Sequence, residues 1–181
     1  MTGNICPHCQ ACMRFYPEFS VEYKWKKCPT CGFTRKVIKM KEYITLEQYL
    51  TASGTYPERA KDKDLTPELL GNAKQLLEKV NKLLSELNIG DVKVSSGYRP
   101  AAVNAGIGNA AKKSLHMQCK AIDIIDNSNQ DLGKLIASKP ELLRKYELFI
   151  ESLDSTKGKN TNWCHLDIGV RSDRPSRMFH P

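Results

Sequence analysis

The sequence contains no uninterrupted apolar stretch of the roughly 18 residues that a membrane-spanning helix needs, so no transmembrane helix is expected. Its N-terminus, Met1 to Cys9, lacks a basic region followed by an apolar stretch, so no secretory signal is expected either. The expectation is synthesis in a reducing cytosol, with any action outside depending on release by another factor. No internal repeat is present, and no single dense Lys/Arg block. The net charge of +8 is spread out, although Lys24, Lys26, Lys27, Arg35, Lys36, Lys39 and Lys41 make the first segment strongly basic. A basic balance favours polyanionic partners, but a solvated, solubilising surface accounts for it equally well. What is present is cysteine. Seven cysteines without a signal peptide point to metal before disulfides.

Five of the seven lie within the first 31 residues. Cys6-Pro-His-Cys9 and Cys28-Pro-Thr-Cys31 are two CxxC pairs with eighteen residues between them. That spacing reads as a four-thiolate structural zinc site, with a zinc ribbon over 1–40. So short a segment buries too little surface to fold alone, and the metal would supply much of its stability. His8 and Cys12 are spare candidate ligands. Apolar–polar alternation from Phe19 onward and over Phe33 to Val37 reads as strand.

Residues 41–65 read as a connector with a short helix at Thr45–Leu50, and 66–181 as the main domain. Thr66 and Pro67 form a helix start. Apolar residues recur at three- and four-residue steps from Leu69 to Leu87, and Gly90 is expected to stop the helix. Strands are expected over 91–96, 121–125, 146–153 and 163–170, with short helices at 101–105, 131–138 and 140–145. The tail from Arg171 to Pro181 has no periodicity and reads as irregular.

The chemistry lies in Ser114-Leu-His116 through Asp123 and in Trp163-Cys-His165. Two histidines and one carboxylate suffice for a catalytic zinc, whose fourth position is left for water. Asp123 sits between Ile122 and Ile124, where a bare carboxylate needs a cation or hydrogen bonds. Strand alternation puts Trp163, His165 and Asp167 on one face and Cys164 and Leu166 on the other.

These residues, with Ser95-Ser-Gly-Tyr-Arg99 and Asn104, resemble the D-alanyl-D-alanine carboxypeptidase-like zinc peptidases. That group includes phage L-alanyl-D-glutamate endopeptidases and is related to the hedgehog-type fold. The resemblance spans roughly residues 43–180. It implies an α+β fold, a small antiparallel sheet with helices packed on one side. It implies His116, Asp123 and His165 as zinc ligands and Arg99 facing a substrate carboxylate or developing oxyanion. Ser114, Trp163 and Tyr98 are implied as supporting or substrate-binding residues. Two positions depart from the family pattern. Cys119 stands where Gly is usual, and could crowd the loop or approach the metal. Asn162 stands three residues before the last His, where many members carry an acid, and a neutral amide cannot take a proton. Glu151, on the preceding strand, and Asp167 are the candidate bases.

The expected activity is zinc-dependent hydrolysis of murein (peptidoglycan) stem peptides containing D-amino acids, of a phage or prophage lysis or wall-penetration type. One catalytic and one structural zinc are expected, with a wall or protein partner for the basic ribbon. A zinc-binding protein without catalysis is the competing expectation. Nucleic-acid binding through Tyr23, Trp25 and the ribbon's lysines is the least favoured.

Overall fold

The structure, a computed structural model, describes residues 14–16, 23–27, 29–38, 42–52, 63, 65–108, 110–158, 161–172 and 175–181. The chain divides into two units, Met1–Lys41 and Glu42–Pro181. In the first, strands β1 (Arg14–Tyr16), β2 (Tyr23–Lys27) and β3 (Thr34–Ile38) form an antiparallel sheet in that order. The register places Lys26 opposite Arg35 and Lys24 opposite Val37. The β2–β3 turn uses Gly32 at φ 70°, a left-handed conformation that glycine adopts without steric cost. Cys31 is exposed in that turn. The other expected thiolates, Cys6, Cys9 and Cys28, lie outside the described residues, as do His8 and Cys12.

The second unit begins inside the stretch that reads from the sequence as connector. Helix α1 (Leu46–Thr51) opens with a capping box: Thr45 Oγ1 accepts from the Gln48 N–H at 3.1 Å, and Gln48 Oε1 accepts from the Thr45 N–H at 2.8 Å. Ile44 and Tyr49 are fully buried, so 42–52 belongs to the core. Asn81 fixes it there. Its Oδ1 accepts from the N–H groups of Tyr43 and Ile44 at 3.0 and 2.9 Å, and its Nδ2 donates to Ile44 O at 2.9 Å.

Helix α2 (Pro67–Glu86) starts as the sequence predicts, with Thr66 Oγ1 accepting from the Leu69 N–H. Ala73, Leu76, Leu77, Val80, Leu83 and Leu84 form its buried stripe. A fully buried Leu or Val side chain contributes about 1.5–3 kcal/mol, so packing holds this helix more than propensity does. Its end differs from expectation. Asn88, not Gly90, takes the left-handed position at φ 51°. The Asn88 and Ile89 N–H groups donate back to Ser85 O and Leu84 O at 3.1 and 3.0 Å, closing a Schellman motif.

Five strands follow: β4 (Val94–Ser96), β5 (Ala121–Asp126), β6 (Phe149–Glu151), β7 (Asn162–Asp167) and β8 (Met178–Phe179). Helices α3 (Ala101–Ala105), α4 (Asp131–Ala137) and α5 (Pro140–Lys145) lie between them in sequence. The sheet order is β4-β5-β7-β6-β8. The fold is α+β, with Ile122, Ile124, Cys164 and Leu166 joining the helices in one core. Two expectations are corrected. The sheet is not wholly antiparallel, because β8 pairs parallel with β6. The tail is not irregular, because Phe179 O accepts from the Ser152 N–H at 2.8 Å and Arg177 O from the Ile150 N–H at 3.1 Å. A two-residue strand leaves no periodicity to read. No helix among the described residues is long and apolar enough to cross a membrane.

Candidate metal centre

Strand alternation builds the site. Ile122 and Ile124 enter the core, so Asp123 projects from the other face. The β5–β7 register sets His165 directly opposite Asp123, and His165 Nδ1 lies 2.6 Å from Asp123 Oδ1. His116 arrives from the 3₁₀ turn Leu115–Gln118, where Ser114 Oγ accepts from the His116 N–H at 3.3 Å. The His116 ring is buried, with Nε2 3.3 Å from Asp123 Oδ2. Its Nδ1 lies 2.8 Å from Gly97 O. A carbonyl only accepts, so Nδ1 carries the hydrogen, which leaves Nε2 as the nitrogen able to bind a metal. The turn at Gly97 also packs directly on α1: a Cβ there would sit 1.9 Å from Tyr49 O.

These donors fit zinc. His116, Asp123 and His165 each offer one ligand atom, and the three atoms lie within 4.8 Å of one another. Two imidazole nitrogens and a carboxylate leave one tetrahedral position open. The electrostatics point the same way. Burial disfavours the Asp123 carboxylate, yet His116 and His165 hold its carboxyl well below the usual range. Burial likewise works against a charged His165, but Asp123 and Asp167 raise it to about 10. The site therefore calls for positive charge between its carboxylates, which a cation supplies.

The remaining candidates sort by position. Glu151 Oε2 is 3.8 Å from His165 Nδ1, on the same side of the ring as Asp123. Burial raises its pKa. Asp167 is behind the ring, with Oδ2 3.4 Å from His165 Nε2. Arg99 Nη2 donates to Ser114 Oγ at 3.4 Å, while its buried Nε has no hydrogen-bond partner among the described residues. Arg99, Ser114, Glu151 and Trp163 line a cleft of about 880 Å³ that also includes all three candidate ligands. Tyr98, expected near substrate, is 2 % exposed and packs into the core.

Cys119 adopts φ 54°, the left-handed conformation a glycine would take without strain. Its buried side chain stands beside Tyr49, and burial pushes the thiol up to about 12. It remains a thiol and is not among the grouped metal donors.

Asn162 shares the strand face of Cys164 and Leu166 rather than that of His165. Its Nδ2 donates to Asn127 O and Ser128 O, each at 3.1 Å, and its Oδ1 accepts from the Gly158 N–H at 3.3 Å. It latches two loops together. Asn162→Asp turns both donations into carboxylate–carbonyl repulsion. The expected result is a loss of about 1 kcal/mol or more in chemical denaturation, with no gain in hydrolytic rate. A faster enzyme would show that an acid at 162 reaches the reaction.

Sequence reasoning missed Gly97 as the partner of His116, and it missed Arg171 and Phe179, which also line the cleft. The Ser-Gly-Tyr-Arg turn contained a signal for the first. The unpatterned tail contained none for the others.

A family model described as Peptidase M15 matches residues 41–167. No curated protein matches the chain, and no solved structure does. The matched span covers both histidines, Asp123 and most of the strands that position them, and the chain belongs to the Peptidase M15 family of zinc peptidases.

Proposed function

We propose that this chain hydrolyses peptide bonds in D-amino-acid-containing murein stem peptides, in lysis or wall penetration of a phage or prophage type, with Glu151 as general base. The observation that carries the reading is the carboxylate of Glu151 on the ligand side of His165, 3.8 Å from Nδ1, at the wall of an open cleft. A bound zinc supplies Lewis-acid polarisation of the scissile carbonyl and a water whose pKa is lowered to about 7. Glu151 accepts the proton of the attacking water and returns it to the leaving amine. The Arg99 guanidinium, with Nε unpartnered among the described residues, donates to a substrate carboxylate or to the oxyanion. Arg99 and Lys113 make the cleft wall cationic, which suits the free carboxylates of stem peptides. Trp163 walls the site.

In this reading, Cys6, Cys9, Cys28 and Cys31 hold a second, structural zinc, and the basic first unit attaches the enzyme to the wall or to a protein partner. The expected results are two zinc ions per chain and zinc-dependent cleavage of purified murein fragments, read by metal analysis and mass spectrometry. Absence of cleavage at full zinc occupancy would favour a zinc-binding protein without catalysis.

A further inference from the structure

Asp167 is fully buried behind His165, and its two oxygens have separate tasks. Oδ2 faces His165 Nε2 at 3.4 Å, an ion-pair contact, and is otherwise buried with no hydrogen-bond partner among the described residues. Oδ1 accepts from the Gly169 N–H at 2.8 Å and from Arg171 Nη1. Arg171 is itself held. Its guanidinium carbon stacks 3.7 Å from the centre of the Phe179 ring and 5.5 Å from that of Phe149. Arg177 covers the same Phe149 ring at 3.7 Å and donates from Nε to Leu148 O at 3.0 Å. The Phe179 ring then meets the His165 ring edge-on, with centroids 5.9 Å apart. Gly169 closes the turn: a Cβ there would lie 2.7 Å from Leu115 Cδ1 and 3.1 Å from both Asp167 Oδ1 and Arg171 Nη1.

We infer that Arg171 is a positioning residue for the metal centre, acting through Asp167 to fix the ring of His165. The inference rests on the zinc reading of His116, Asp123 and His165. Arg171, Arg177 and Phe179 all lie beyond the residues the family model matches, so the clamp belongs to this chain's own tail. A ring that offers Nδ1 to a metal needs an acceptor for its Nε2–H, and such partners set ring orientation and ligand basicity. A carboxylate buried this deeply needs its own compensation. Arg171 provides it with a planar donor fork that also stacks on rings, which a lysine does not reproduce. The stack ties the strand that carries Glu151 to the same device, because Glu151 pairs with Phe179 across β6–β8.

The test measures zinc affinity by chelator competition on the full chain, with His165→Ala giving the background from any thiolate-bound ion. Arg171→Met keeps apolar packing against the rings and removes the charge. It is expected to weaken the labile zinc by about 10-fold, and Asp167→Asn by about 10–100-fold. The Arg171→Met/Asp167→Asn double variant is expected to bind no more weakly than Asp167→Asn alone, since residues acting along one path are not additive. Phe179→Leu leaves the charge pair intact and serves if Arg171→Met does not fold. It is expected to weaken zinc several-fold and to shift the visible bands of the cobalt-substituted protein. Unchanged zinc affinity in Arg171→Met with a raised KM would overturn the inference and make Arg171 a substrate contact. Additive losses in the double variant would overturn it too. Equal zinc binding by wild type and His165→Ala would remove the metal centre, and this inference with it.

Discussion

Glu151→Gln is expected to lower kcat by about 10²–10⁴-fold, the range for loss of a positioned general base, with zinc content at the wild-type level. The two halves of that result arise from the same geometry. Gln keeps the size of the side chain and can still hydrogen-bond a water, but it cannot receive a proton. Glu151 is not one of the three residues grouped as ligands, so the metal should not notice the change. Its strand is fixed through Ile150 opposite Leu166 and Phe149 opposite Asp167, and neither pairing involves its side chain. Asp167→Asn provides the contrast. Asp167 touches the far nitrogen of His165, so its loss should appear first as weaker zinc binding and be rescued by excess metal. If Glu151→Gln keeps its rate while Asp167→Asn loses it at saturating zinc, the roles assigned to the two acids are reversed.

His116→Ala is expected to reduce hydrolysis by more than about 10³-fold, equivalent to about 4 kcal/mol of lost transition-state stabilisation. It removes a ligand, and it also frees Gly97 O from its 2.8 Å partner. Chelation of the wild-type protein should give the same inactivity reversibly, and that separates metal loss from damage to the turn. Ligand linkage adds a second readout. An ion that binds only the folded chain stabilises it by about 2.7 kcal/mol at a hundred times its Kd. Zinc should therefore raise the unfolding temperature of wild type and leave that of His116→Ala, beyond any contribution from the first unit, unmoved. Full activity in His116→Ala would eliminate the metal centre as drawn.

The parts of this molecule that were legible in the sequence are those with a period. Leu76, Val80, Leu83 and Leu84 announce α2 at 3.6 residues per turn, and Asp123 among isoleucines announces both a strand and an unusual need. The same two-residue alternation puts His165 and Asp167 on one face. The parts that were not legible depend on contacts distant in sequence. Tyr49 reaches Ala121 O at 3.1 Å across 72 residues, which makes a supposed connector part of the core. Asn162 resembled a lost base only when counted back from His165; its amide is occupied with Asn127, Ser128 and Gly158. Arg171 and Phe179 meet because β8 lies parallel to β6, and such pairing has no local signature in a two-residue strand.

The strict alternation of β5 and β7 has an evolutionary consequence. Positions 122, 124, 164 and 166 face the core, and positions 123, 163 and 165 face the cleft, so adjacent residues meet separate demands. Trp163 is flanked by residues that face the opposite side, so a change there alters the cleft wall without touching the core face of β7. Substrate preference in this scaffold can drift by single steps without passing through unfolded intermediates.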